Sequence, residues 1–155
     1  MVLKPLLSLI LICFSVFATS DKVFAGEDQC PSIGQAASKV KFETEQIEDF
    51  IWRIDGPNGP FYVEAEPAFC LFTMSANMSS YFSNLSEAGD IWAKFRIKYG
   101  TFYERNGKIY LEQVAIIGHG STKTLAETLR FFDATAFLIT REVDERNTAS
   151  PVPSM

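Results

Sequence analysis

Much of this chain alternates apolar and polar side chains one residue at a time. That rhythm calls for a sheet with one buried face, because successive side chains on a strand point to opposite sides. Phe61, Val63 and Ala65 alternate with Tyr62, Glu64 and Glu66. Ile91, Ala93, Phe95, Ile97 and Tyr99 alternate with Trp92, Lys94, Arg96 and Lys98, the clearest such run in the sequence. Ile109, Leu111, Gln113, Ala115 and Ile117 do the same against Lys108, Tyr110, Glu112, Val114 and Ile116. Asn106-Gly107, just before this last run, suits the positive φ angles of a two-residue hairpin turn. The apolar run from Phe69 to Met74 predicts another strand. Val40 to Ile54 predicts a long first strand, apolar at both ends and polar in the middle, made of two halves joined by a bend or bulge. Asp55-Gly56-Pro57-Asn58-Gly59-Pro60 is a loop, since its prolines and glycines interrupt a regular ladder.

Two segments follow a helical period instead. Met78, Tyr81, Phe82 and Leu85 predict a short helix between the third and fourth strands, stopped by Gly89-Asp90. Leu125, Leu129, Phe132, Ala136, Ile139 and Val143 are spaced alternately by four and three, which predicts one long C-terminal helix. Its competitor is a helix ending near Ala134, followed by a strand over 137–143. Thr124 and Glu127 have the spacing of a capping box. Pro31-Ser32 can start one turn over Ile33, Ala36 and Ala37. Hydrophobic residues make up 47% of the 155-residue chain, enough for a packed core in a single domain. Overall the class is mainly β with helices, α+β.

The order of elements, with a long bent first strand and a helix between the third and fourth strands, resembles the OB-fold, a five-stranded Greek-key barrel. Gly89-Asp90-Ile91 through Lys98-Tyr99-Gly100, followed by Asn106-Gly107-Lys108-Ile109-Tyr110-Leu111, carries most of the likeness. It covers roughly residues 40–117. The chain is similar in type to small exported bacterial OB-fold proteins. The resemblance implies a non-enzymatic binding protein whose ligand face is flanked by the Pro/Gly loop and the Asn106-Gly107 return.

Residues 1–25 read as a secretory signal peptide. Lys4 supplies the positive start, Leu6 to Phe17 the apolar run, and Val23-Phe24-Ala25 the small-x-small cleavage site. The apolar run, about a dozen residues, is short for a bilayer span, so no stable membrane span is expected after cleavage. A secreted or periplasmic location follows, with residues 26–146 as the domain and 147–155 as a disordered tail. Cys13 leaves with the signal. Cys30 and Cys70 remain as an even pair in an oxidising compartment, which favours a disulfide. Asn77-Met78-Ser79 and Asn84-Leu85-Ser86 match the glycosylation sequon, which has meaning only in a eukaryotic secretory path.

Charge is segregated along the chain. Glu43, Glu45, Glu48, Asp49, Asp55, Glu64 and Glu66 outnumber Arg53 in the first part of the sheet, whereas Lys94, Arg96, Lys98, Arg105 and Lys108 outnumber Glu104 later. In a barrel the first strand pairs with the fourth, so the two stripes are expected to neutralise each other across strands. The alternative use of Trp92, Lys94, Arg96 and Lys98 is an anion-binding face for single-stranded nucleic acid or acidic glycan, where cations meet the backbone and rings stack. A net charge of −5 in an exported chain argues against nucleic acid. The favoured contact face is formed by the second and third strands and the flanking loops, with Arg53, Asn58, Tyr62 and Tyr103 as its candidate residues. Its ligand or partner protein is unspecified. A third reading is a small hydrolase centred on His119, with Glu64 or Glu66 beside it. A single histidine excludes two-histidine zinc motifs, and no catalytic set, metal site or cofactor motif is expected.

Overall fold

The structure is a computed structural model, and it describes residues 30–95, 100–118 and 121–149. The segment expected to be a signal peptide, His119, Arg96, Lys98 and residues 150–155 lie outside the described residues.

Ser32 caps the first helix, α1 (Ile33–Lys39), by accepting the Gln35 amide at 3.4 Å. Its Ile33, Ala36 and Ala37 are buried. The chain then runs through four consecutive antiparallel strands: β1 (Glu43–Glu48), β2 (Ile51–Gly56), β3 (Gly59–Glu66) and β4 (Leu71–Asn77). Helix α2 (Leu85–Phe95) leads to the hairpin β5 (Thr101–Arg105) and β6 (Lys108–Ile116). Strand β6 inserts beside β4, giving the sheet order β1-β2-β3-β4-β6-β5. The long helix α3 (Thr122–Ala149) ends the fold.

The fold is therefore mixed α+β, and the expected barrel is not formed. The described residues form six strands rather than five, and β1 and β5 are the two edges of their open sheet. Two local features produce the difference. The polar middle of the expected long strand turns the chain back on itself, so that Glu43 faces Asp55 and Glu45 faces Arg53 in a hairpin. Phe50 adopts a left-handed backbone at that turn, φ 65°, with neither glycine nor proline to announce it. The second feature is that Ile91 to Phe95, expected to open a strand, continues α2. Asn84 caps this helix by accepting the Glu87 amide at 3.0 Å, while the Glu87 carboxylate accepts the Ser83 amide at 2.8 Å. Ala88 and Ile91, three apart, are buried on one side of the helix. The short helix expected near Met78 to Leu85 gives way to a turn after β4, and Gly89-Asp90, expected to stop it, lies inside α2.

The expected loop over 55–60 shrinks to a turn at Pro57-Asn58, with Gly56 ending β2 and Gly59 starting β3, while two further expectations hold. Asn106 and Gly107 both have positive φ, 54° and 71°, and they close the β5–β6 hairpin. The C-terminal segment is one helix through 137–143. It starts earlier than Thr124: Ser121 accepts the Thr124 amide at 3.3 Å and its hydroxyl pairs with that of Thr124. Leu125, Leu129, Phe132, Ile139 and Val143 face inward and are buried. They cover one side of the sheet, where Ile54, Phe61, Val63, Phe72, Met74, Ile109 and Leu111 are also buried. Phe132 meets Phe61 with ring centroids 5.2 Å apart. Helix α1 packs beside α3 and completes this layer.

Cys30 and Cys70 form a disulfide that ties the start of α1 to the start of β4, with Cα atoms 5.0 Å apart. Closing a loop of this length restricts the unfolded chain by about 4 kcal/mol. Reduction is expected to lower the unfolding free energy by about that amount, read as a drop in the urea midpoint with a somewhat steeper slope, since the released unfolded chain exposes more surface. An unchanged midpoint would show that the cross-link contributes nothing.

Candidate functional site

Because α1 and α3 lie on one side, the other side of the sheet is left uncovered by the described residues, and the register fixes which residues share it. One row runs Arg53, Tyr62, Ser75, Glu112 and Thr101 across β2, β3, β4, β6 and β5. The next row toward the Asn106-Gly107 turn holds Asn77, Tyr110 and Tyr103. On the other flank come Ile51, Glu64, Thr73 and Val114, then Glu66, Leu71 and Ile116. Three of the candidate residues, Arg53, Tyr62 and Tyr103, thus share one surface.

Their environments differ. Tyr62 stands exposed, whereas its neighbour Phe61 points into the core. Arg53 pairs with Asp55, two residues along the same strand face, at 3.0 Å. Tyr103 stacks on Tyr110 with centroids 5.3 Å apart and planes 16° from parallel. Burial in this stack, followed by the negative charge of Glu112, raises the Tyr103 phenol above its ordinary range.

The surface becomes apolar at one end. Ile116 is 74% exposed, and Val114 48%. The same end carries Phe69 in the β3–β4 turn and Ile47 and Phe50 at the β1–β2 turn, all exposed. These residues were missing from the sequence-derived face. The signal for Val114 and Ile116 was available: they are apolar residues at the outward positions of the last alternation.

The remaining candidates separate from this surface. The Asn58 backbone N–H donates to the Asp133 carboxylate at 3.3 Å, and its side-chain amide donates to the other oxygen. Asp133 is 4% exposed and lies on α3, so Asn58 serves as the latch between the β2–β3 turn and that helix. A Cβ on Gly56 would collide with the same carboxylate, which explains the glycine there. Trp92 lies on α2 and meets the inward-facing Phe102 edge-on, with centroids 6.4 Å apart. It borders a shallow cleft with Leu85, Gly89, Thr101 and Phe102.

The expected pairing of the first strand with the strand of the basic stripe is not seen, and Arg96 and Lys98 lie outside the described residues. Strand β1 pairs with β2, and α2, which contains Lys94, packs against β5 at the far edge. Among the described residues, no three His, Cys, Asp or Glu side chains gather as a metal site. No helix among them is long and apolar enough to cross a membrane. No family model, no curated protein and no solved structure matches the chain.

Two outcomes are expected from these contacts. Asp133→Ala strands the two Asn58 donors and costs about 1.5–3 kcal/mol in chemical denaturation, with faster hydrogen exchange at the Asn58 amide. Glu112→Gln lowers the Tyr103 titration midpoint without returning it fully, because the burial remains; tyrosinate absorbance during an alkaline titration reads this. A raised phenol stabilises the fold below the tyrosine range of the unfolded chain, and that contribution disappears as pH rises through the folded-state value.

Proposed function

We propose that this chain is an exported, non-enzymatic binding or adaptor protein that receives a partner protein on the open face of its sheet. The observation that supports the reading is the uncovered surface itself, with Tyr62, Arg53 and the Tyr103–Tyr110 stack beside an apolar end built from Val114, Ile116 and Phe69. Tyrosine and arginine are enriched at protein interfaces because each offers apolar area together with a polar tip. Exposed apolar side chains gathered at one end of a sheet mark an interaction site. The broad, uncovered sheet face favours a macromolecular partner, since small-molecule sites are concave and bury most of their ligand. Export rests on the signal-like first segment, and the Cys30–Cys70 disulfide is consistent with an oxidising compartment.

A displayed peptide library selected on the immobilised protein tests the reading. Selected peptides are expected to lose about tenfold or more in affinity for Tyr62→Ala and for Ile116→Glu, the scale of an interface anchor. Gln35→Ala, on α1, should bind them as the unaltered chain does. Failure to select any binder, or selected peptides indifferent to both face substitutions, would remove the proposal.

A further inference from the structure

Helix α3 carries a second stripe that no other described residue covers. Glu127, Phe131, Ala134, Leu138, Arg141 and Glu145 repeat the alternating spacing of four and three found on the inward stripe, displaced by two residues. Two residues turn a helix by about 200°, so this stripe points away from the sheet. Phe131 is 52% exposed and Leu138 46%, and Phe137 beside them is 44% exposed. Ala134, between them, is also exposed. A strip of aromatic and aliphatic side chains on the outside of a long helix is the seam of a helix pair.

The charges on the stripe select the partner. Reflected through Ala134, Lys123 falls on Glu145, Glu127 on Arg141, and Phe131 on Phe137. We infer that a second copy of this chain covers the outer side of α3 as an antiparallel helix pair, its two-fold axis passing beside Ala134. In that arrangement each of the four charged residues meets the opposite sign on the other copy. A parallel pair would set each against its own kind. Within one chain, Lys123 and Glu127 already pair at 3.8 Å, and Arg141 and Glu145 at 3.0 Å. The antiparallel pair brings these two ion pairs together at each end, forming a four-charge cluster on either side of a phenylalanine- and leucine-lined centre. The small side chain of Ala134 permits close approach at the crossing. Two-fold symmetry uses the same patch twice and closes the assembly at two copies.

Analytical ultracentrifugation of the signal-free chain across the micromolar range tests this. The unaltered chain should sediment as a dimer. Ala134→Glu sets like charges together at the axis and should give a monomer with an unchanged far-ultraviolet dichroism spectrum. Glu127→Arg and Arg141→Glu should each weaken dimerisation at least tenfold, and the two combined should restore it, because the opposite signs then meet again. A monomeric unaltered chain overturns the inference. So does a dimer that survives Ala134→Glu, or a double exchange that fails to restore association.

Discussion

The packing of α3 against one side of the sheet is the constraint from which the rest follows. An isolated antiparallel sheet has two faces and needs one of them covered by something apolar. Leu125, Leu129, Phe132 and Ile139 supply that cover and are all fully buried. Contact between Phe132 and Phe61 joins the helix to the middle of the sheet, and the Asp133–Asn58 hydrogen bonds join it to the β2–β3 turn. Adjacent residues on one helix therefore combine an apolar contact with a polar latch. The apolar contact is tolerant of angle, whereas the carboxylate needs its two donors in particular places. Together they set how the helix lies on the sheet.

One-sided cover has an immediate result: the other face is left to solvent or to a partner. A barrel would have curled that face around and joined its edges. Here the hairpin formed by β1 and β2 uses up the length that a long bent strand would have given, and α2 occupies the place of a fourth strand. The sheet remains open, and the side chains that alternate outward form rows spanning β2 to β5. The same geometry leaves α3 with an outer side that faces away from every other described element.

The elements legible in the sequence were those with a strong local cause. Asn106-Gly107 adopts the turn that its two positive φ angles permit, and the spacing from Leu125 to Val143, which left a strand over 137–143 as a competitor, is helix throughout. Tyr62 outward and Phe61 inward followed from alternation alone. The misreadings have equally local causes. Ile91 to Phe95 alternates apolar and polar residues, yet Ala88 and Ile91 also share a helical side, and the Asn84–Glu87 cap upstream lets the helix start. A period of two in a short window cannot outweigh a helix already nucleated before it. The β1–β2 turn had no glycine or proline signal, because Phe50 takes the left-handed conformation usually left to smaller residues. Asn58 looked like a ligand contact because it sits in a loop; its partner, Asp133, lies 75 residues away in sequence and gave no local sign.

Strand β1 carries one further consequence. It is an edge of the sheet, and every one of its residues, Glu43 to Glu48, is exposed. An uncovered edge offers unpaired backbone groups to any other extended chain, the first step of fibril growth. Glu43, Glu45 and Glu48 set carboxylates along that edge, so two copies approaching edge to edge repel each other. This protection works through Coulomb repulsion, and dissolved ions weaken it. Colloidal stability of the folded protein is thus tied to ionic strength at this one strand, with no change in the fold itself.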